Sequence, residues 1–418
     1  MKRKLLRQIC NEWKSNVWLG LELVIVSVVM WYVIDSLWCI YSTNNEPRGF
    51  NTDHCYLIEY DQLSDRSPDY RAYGSRQEES DDFLRLFDRL GARPEVEAVA
   101  CGMNAYIYNG SNSGTNLNID TLTSSSAGFL LRRVVSPEFP IVFRIEGTRG
   151  ETPEQLAEIL RNNTNAMLCS DNLYYNYGIE HMDDFIGRRF ANTARNDSVT
   201  LAAAYKVVRY NDYTTQNSSR SMMETMPRKY YVYNANELMV RVKDNMDTNF
   251  KENLMRDATS DLRFGNFYIS NVKSFEDIRA NHQLTSATTT RNTYVVMVFL
   301  AINIFLGLLG TFWFRTRQRI HEIAIRMANG ATSTDVFRRF IGEGELLLTI
   351  VTPLAVIVDG LLTYFEYNHY YGGYFAPGRF AACVLLTYAL MALMILLGTV
   401  IPAYRAMKLQ PAVALKEE

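Results

Sequence analysis

Residues 315–345 read RTRQRIHEIAIRMANGATSTDVFRRFIGEGE, and an apolar segment lies on either side of them. The preceding segment covers residues 293–314 and the following one covers 342–365. Each is longer than the roughly 20 residues that cross the hydrocarbon core of a bilayer. A basic stretch held between two such segments indicates a membrane protein.

Two further apolar segments, 17–40 and 380–403, meet the same length criterion. The chain of 418 residues has no such run between 41 and 290. We therefore predict an α-helical membrane protein with four transmembrane helices and a large α+β extracytoplasmic domain inserted between the first and second helices. The first segment follows basic residues, as in a signal peptide, but it is too long and lacks a small-residue cleavage site, which favours a membrane anchor.

Basic residues near the ends of the spans predict the orientation, because Lys and Arg stay on the cytoplasmic side. They cluster in the amphipathic N-terminal segment 1–16, in the loop 315–341 and in the tail 404–418. Both termini and this loop are thus predicted to be cytoplasmic. The short loop 366–379 and the large domain 41–290 then lie outside, and the acidic balance of that domain argues against nucleic-acid binding.

The outer domain shows two successive helix-then-strand patterns. The first helix is expected near residues 80–90, with Gly91 at its end in a backbone of positive φ. Strands are expected at 96–100 and 105–108. This arrangement predicts helices packed on one side of a sheet.

The second pattern opens with Thr152 and Pro153, which are typical of a helix start, and strands follow at 166–170 and 199–209. The polar stretches near 109–126 and 211–228 are expected to be exposed loops.

Three cysteines, Cys55, Cys101 and Cys169, fall in the outer domain, so at most one disulfide forms there and none is required. The five histidines show no paired spacing, and we expect no metal site. Neither residue type indicates catalysis.

The loop 315–341 itself predicts an amphipathic helix. On a helix from Arg319 to Asn329, one face carries apolar side chains and another carries charged ones. The apolar face consists of Ile320, Ile323, Ala324 and Met327, and the charged face of Arg319, Glu322 and Arg326. Gly330 ends this helix, and Thr332 or Ser333 caps the next one, which runs into the third span. Periodicity alone leaves two interpretations open: a helix on the lipid surface, or one that binds a partner protein.

Several ionisable residues lie within the spans, where they are costly and therefore functional candidates. Asp35 and Asp359 lie towards the outer ends, where the alternatives are a proton relay, hydrogen bonding between helices, and exposure at the interface. Glu22 is interpreted as an interface residue. Pro353 interrupts the third span and predicts a kink.

A resemblance resolves the choice that periodicity left open. Residues 317–343, RQRIHEIAIRMANGATSTDVFRRFIGE, resemble the signature of the MacB/FtsX family of ABC-transporter permeases, in which this segment is the coupling helix that grips the ATPase. The closing segment 401–418, IPAYRAMKLQPAVALKEE, is similar to the same family's C-terminal motif. In the outer domain, 170–190 (SDNLYYNYGIEHMDDFIGRRF) and 237–245 (ELMVRVKDN) resemble its MacB-like periplasmic core.

The resemblance implies which residues contact the ATPase. They are Arg319, Ile320, Glu322, Ile323, Ile325, Arg326, Met327, Gly330, Ala331 and Glu343. It further implies a chain without a catalytic site or cofactor of its own, since no GxxxxGK[ST] motif occurs, and ATP and Mg²⁺ would belong to a separate cytosolic ATPase.

The expected location is the bacterial inner membrane. The expected partners are that ATPase, membrane lipid and a second permease chain, identical or different, with a periplasmic adaptor left open. The competing interpretation is an FtsX-like signalling scaffold that regulates a periplasmic cell-wall hydrolase. The size of the outer domain favours substrate handling instead. A membrane receptor without an ATPase would leave Ile323 and Met327 without a protein partner.

Overall fold

The computed structural model describes residues 13–110, 113–124, 130–163, 165–193, 196–234, 237–258, 261–318, 325, 330–365, 367–368 and 376–407. Contacts divide the chain into two compact units. The α/β unit is Thr43–Ala287, and the helical unit holds the described residues up to Ser42 and from Thr288 onwards.

The α-helices of the described chain are, in order, α1 (Trp13–Asn45), α2 (Arg76–Gly91), α3 (Phe139–Val142), α4 (Pro153–Asn162), α5 (Tyr231–Asn234), α6 (Phe250–Asp257), α7 (Phe275–Gln318), α8 (Ser333–Tyr364) and α9 (Pro377–Met407). The strands are β1 (Cys55–Gln62), β2 (Val96–Met103), β3 (Gly114–Thr115), β4 (Leu117–Ile119), β5 (Leu122–Thr123), β6 (Leu130–Val135), β7 (Ala166–Ser170), β8 (Arg189–Asn192), β9 (Asp197–Tyr205), β10 (Ser221–Thr225), β11 (Glu237–Val242) and β12 (Phe267–Ser274).

Four helices of the described chain are long and apolar enough to cross a membrane. Their qualifying segments are Val17–Asn45, Phe275–Phe314, Ile341–Tyr364 and Pro377–Val400. Each overlaps a segment predicted from the sequence, so the four predicted apolar helices are confirmed, whereas their direction across the membrane stays a prediction.

Several of the long helices extend beyond the predicted spans. Helix α7 begins at Phe275, well before residue 293, because the hydroxyl of Ser274 accepts a hydrogen bond from the Asp277 N–H (3.1 Å) and so supports a helix start in a polar stretch. Helix α9 begins at Pro377, so the predicted loop 366–379 ends earlier than expected. Apolar length marks a span, but capping decides where the helix begins.

The four long helices share one buried cluster in the helical unit. Its members include Leu23 and Met30 from α1, Leu308 and Phe312 from α7, Leu347 and Leu348 from α8, and Met391 and Ile395 from α9. The helical unit is therefore a packed bundle and not a set of separate anchors.

The α/β unit is built on one mixed sheet. Its strand order is β12-β1-β11-β2-β6-β10-β7-β9-β8-β4-β5, with β3 paired to β6. Parallel pairs occur between β10 and β6 and between β7 and β9, and the remaining pairs are antiparallel. The predicted α+β character is confirmed.

Helices cover both faces of this sheet, so the predicted one-sided arrangement is wrong. On one face Ile58, Val99 and Cys101 pack with Phe83 and Leu86 of α2. Their sequence neighbours Leu57, Ala98 and Ala100 belong to a second cluster with Leu156 and Leu160 of α4. Because successive strand residues point to opposite faces, the two clusters lie on opposite sides of the sheet. These strands are buried on both faces, which a two-unit pattern in the sequence does not reveal.

Helix α2 confirms the predicted helix but not its end. It starts at a Ser75 cap, whose side chain accepts from the Glu78 N–H, and the residue after Gly91, Ala92, is the C-cap with an ordinary helical φ of −81°. Gly91 is the last helical residue and is absent from the positions of positive φ. The glycine therefore does not form the left-handed end that we predicted.

The predicted strand at 105–108 is wrong, because this segment forms a turn. Asn104 and Tyr108 both have positive φ, at 52° and 65°. The N–H groups of Ala105 and Tyr106 donate to the carboxylate of Glu237, at 2.8 and 3.1 Å, and not to a neighbouring strand. Burial raises the pKa of Glu237, and these donors oppose the rise.

The two polar stretches are not simply exposed loops. Stretch 109–126 contains β3, β4 and β5, and Thr115 and Leu117 are buried. Stretch 211–228 contains β10, which lies inside the sheet between β6 and β7. Polar side chains satisfy one another in the interior, as when the Thr115 hydroxyl donates to the Asn192 amide oxygen at 2.8 Å.

The second helix-then-strand pattern is largely confirmed. Helix α4 starts with Pro153 after a capping box formed by Thr152 and Gln155. The strand at 166–170 has the predicted bounds. The strand predicted at 199–209 is β9, which runs from Asp197 to Tyr205.

Candidate functional site

The predicted glycine turn and Thr332 cap before the third span are confirmed. Gly330 has a φ of +89°, a left-handed conformation that glycine adopts without a steric penalty. The Thr332 hydroxyl accepts a hydrogen bond from the Asp335 N–H at 3.2 Å and forms the N-cap of α8. Helix α8 then continues through Pro353 to Tyr364, so one helix joins the turn to the predicted third span.

Of the ten predicted coupling residues, six lie outside the described residues: Arg319, Ile320, Glu322, Ile323, Arg326 and Met327. Ile325 is 44% exposed, Gly330 is exposed and Ala331 is half-buried. Glu343 is buried, at 6% exposure, and lies about three turns into α8. Coupling by these residues stays a prediction.

The helices pack closely beside Glu343. A Cβ atom at the adjoining Gly344 would lie 2.7 Å from Cγ2 of Ile395 and 3.3 Å from Cε1 of Phe312. Only glycine therefore permits this approach of α8 to α9 and α7, which is how small residues serve membrane helix packing. Helices α7, α8 and α9 are in close contact at Gly344. A displacement of α8 at this residue therefore pushes on both α7 and α9.

A polar cluster surrounds Asp35, which is fully buried in the helical unit. Its Oδ1 lies 3.0 Å from Nε of Arg379, at the start of α9. Its Oδ2 accepts from the Asn368 amide at 2.9 Å. Asp35 thus links α1 to α9 and to the segment after α8, which confirms hydrogen bonding between helices among the alternatives for this residue. A largely buried ion pair holds its elements in register because separating it leaves a buried charge.

Two other carboxylates in the long helices, Glu22 and Asp359, differ in their hydrogen bonding. Glu22 accepts a hydrogen bond from the Thr311 hydroxyl at 2.8 Å, so it bonds α1 to α7 and is more than the interface residue we predicted. Asp359 is 2% exposed, and its Oδ1 has no hydrogen-bond partner among the described residues. Interface exposure is therefore wrong for Asp359.

Sequence reasoning missed Arg379 and Asn368 as partners of Asp35. The available signal was that Arg379 is the single basic residue of the short loop 366–379. A lone cation beside a buried carboxylate is a pairing candidate, but pairing across more than 300 residues needs the tertiary structure.

A large part of the helical unit is similar to a known protein family. Residues 294–411 match the family of the FtsX-like permease C-terminal domain. This range begins in α7 and includes α8 and α9. The helical unit therefore carries a segment that matches the FtsX-like permease C-terminal domain.

Individual relatives carry related names. The chain is 27% identical over 188 residues to the macrolide export ATP-binding/permease protein MacB of Acinetobacter baylyi, covering 44% of this chain and 27% of that protein. It is 30% identical over 155 residues to the pyoverdine export ATP-binding/permease protein PvdT of Pseudomonas fluorescens, covering 35% and 22%. MacB of Campylobacter jejuni is 31% identical over 137 residues, covering 32% and 21%.

The chain spans about a quarter of the length of the curated relatives it matches. Its four long apolar helices indicate a multi-pass membrane protein, and the parts that match are similar to proteins named as export ATP-binding/permease proteins. The Gly330 turn, the Thr332 cap and the Glu343 level of α8 all lie within the matched family range.

Proposed function

We propose that this chain is the transmembrane subunit of an ABC transporter of the MacB/FtsX type. It transmits ATP-driven motion of a separate cytosolic ATPase to the α/β unit, for export or extraction of a substrate. The observation that carries this proposal is the unbroken helix α8, which joins the capped turn of the predicted coupling segment to a predicted span within the FtsX-like domain.

Helix α8 is suited to transmitting a push. Its backbone hydrogen bonds make it stiff along its axis, and the Thr332 cap prevents fraying at the end where the ATPase would act. The close approach at Gly344 gives it immediate contact with Phe312 and Ile395. Proline is tolerated within such a helix because neighbouring helices compensate for the missing hydrogen bond.

The proposal includes an orientation and an assembly. Both termini and the loop 315–341 face the cytoplasm of a bacterial inner membrane, and the α/β unit faces the periplasm, following the distribution of Lys and Arg. A second permease chain, identical or different, completes the membrane part. The related proteins are named as exporters, which supports export over the signalling-scaffold alternative.

The test is co-purification of an ATPase from native membranes. Wild-type chain should bring down an ABC-type ATPase, and Ile323→Asp should lose it while still inserting into the membrane, because the charge enters the predicted apolar face. Asn329→Asp is the matched control, since it adds the same charge in the same loop away from that face. If the wild type recovers no ATPase, the transporter proposal fails. If Ile323→Asp retains it, the predicted binding face is wrong.

A further inference from the structure

One carboxylate in the α/β unit gathers three side chains from separate parts of the chain. Oδ1 of Asp212 accepts from the Tyr108 hydroxyl at 2.9 Å and lies 3.3 Å from Nε of Arg48. Its Oδ2 accepts from Nε of Arg279 at 2.7 Å. Arg48 follows the end of α1, and Arg279 lies near the start of α7. Asp212 therefore bonds to both ends of the α/β unit at once.

A buried arginine fixes the loop that presents Asp212. Arg209 is 1% exposed, and its guanidinium donates to three backbone carbonyls. The acceptors are the carbonyls of Thr214 (2.8 Å), Glu46 (3.0 Å) and Asp212 (2.7 Å). A guanidinium bound in this way holds the loop and the segment after α1 in one fixed geometry.

The segment after α1 is tied to the same loop by further bonds. The carboxylate of Glu46 accepts from the Gln216 N–H at 2.8 Å, and the Gln216 side chain donates to the Pro47 carbonyl at 2.9 Å. Gly49 has a φ of +77°, and a Cβ atom there would lie 2.0 Å from the carbonyl oxygen of Val207. No other residue fits this close approach.

These contacts differ from the ordinary surface ion pairs of the unit. The side chain of Asp212 is 14% exposed, whereas the side chains of Lys206 and Glu146, which form an ion pair with each other, are both 57% exposed. Exposed ion pairs contribute little to the free energy of folding. A mostly buried carboxylate with several charged donors is held in place, and removing its charge costs folding free energy.

We propose that Asp212 and Arg209 form a clamp that fastens both ends of the α/β unit to the loop 209–216. The clamped ends are the segment 46–48, which follows α1, and the first turns of α7 around Arg279. A movement of the α/β unit would then act on α1 and α7 at the same time, through the contacts of Asp212. The clamp stands on the contacts alone, and its use in transmission rests on the proposed function.

Hydrogen–deuterium exchange on the full-length protein in phospholipid nanodiscs tests the clamp. Asp212→Asn should raise exchange at 43–50, 208–217 and 275–284 together, by about tenfold or more, the factor expected for loss of one charge-assisted hydrogen bond. Glu146→Gln removes the exposed pair with Lys206 and should change none of these segments. A rise confined to 208–217, or no rise, would overturn the proposal.

Arg279→Gln gives a second measurement should Asp212→Asn fold poorly. The clamp predicts that this change at one end raises exchange at the other, in 43–50, by at least about threefold, since part of the shared carboxylate's hold is lost. An effect limited to 275–284 would show that the two ends are fastened independently, and the clamp would be rejected.

Adding ATP to the complex with its ATPase separates the clamp from the proposed function. Asp212→Asn should still co-purify the ATPase but lose the ATP-dependent change in exchange across 275–284. If no ATPase binds the wild type, the proposed function fails while the exchange results still decide the clamp. If the ATP response of the variant equals that of the wild type, the clamp has no part in transmission.

Discussion

At the residue scale, the buried carboxylate of Asp35 is stabilised by an ion pair with Arg379. The carboxylate meets Arg379 and Asn368 within hydrogen-bonding distance, and together they join α1 to α9. Such a pair adds specificity to a bundle whose other contacts are largely non-directional. Removing one partner leaves the other charged and enclosed.

Asp35→Asn should therefore destabilise the protein by about 3–5 kcal/mol, the usual cost of leaving one member of a buried pair alone. The measurement is thermal unfolding in detergent. Asp120→Asn is the control, because Arg188 and Asp120 form an exposed pair at 45% and 70% exposure and its loss should cost less than about 1 kcal/mol. The double variant Asp35→Asn with Arg379→Gln should be less destabilised than Asp35→Asn alone. Equal unfolding temperatures for wild type and Asp35→Asn would contradict this account.

His181 supplies a residue-scale prediction in the α/β unit. Its Nδ1 lies 2.7 Å from a carboxylate oxygen of Asp171, and this hydrogen bond raises the pKa of His181. The stabilisation from protonated His181 is fully present below its unfolded pKa of about 6.5 and is lost as pH rises through the higher folded value.

An NMR titration of the His181 ring checks this directly. Asp171→Asn should return the pKa towards the ordinary histidine value, whereas Glu180→Gln should leave most of the shift, because Asp171 is its main cause. A titration unchanged by Asp171→Asn would show that the carboxylate is not responsible.

At the scale of elements, the start of α8 is the feature that follows most directly from the sequence. The Gly330 turn and the Thr332 cap were both predictable, because helix ends depend on local backbone geometry and short-range hydrogen bonds. The start of α7 and the turn at 105–108 were not, because the Ser274 hydroxyl and the Glu237 carboxylate accept hydrogen bonds from backbone N–H groups, which apolar patterns do not show.

Thr332→Ala should remove the cap of α8 and cost about 1 kcal/mol. The effect should be local, appearing as faster amide exchange in residues 333–336 of the full chain. Thr334→Ala is the control, because that threonine lies inside the first turn and is not the cap residue. Equal exchange in Thr332→Ala and wild type would show that the cap does not hold the end of the helix.

At the scale of the whole molecule, the cysteines of the α/β unit report on the packing of the sheet. Cys55, Cys101 and Cys169 lie in three different buried clusters, and each is a free thiol. Burial raises the pKa of Cys55 to about 12 and raises those of Cys101 and Cys169 as well. None presents a thiolate to solvent in the folded protein.

All three should therefore resist maleimide until the α/β unit unfolds, as measured by mass spectrometry of labelled peptides. Labelling should then begin together in denaturant, because one sheet carries all three cores. Ser64→Cys, in an exposed loop, serves as the positive control for labelling of folded protein. Selective labelling of one native cysteine in the folded state would contradict the shared core.

The sequence by itself determined the four apolar helices, the glycine turn and cap before α8, and the family resemblance, since each depends on local length, composition or short motifs. Only the tertiary structure decided the two-sided covering of the sheet, the Asp35 pair and the contacts of Asp212. These join residues far apart in the chain, from Asp35 to Arg379 and from Arg48 to Arg279. Distant pairings of this kind leave no periodic signal, because they are set by how the elements pack.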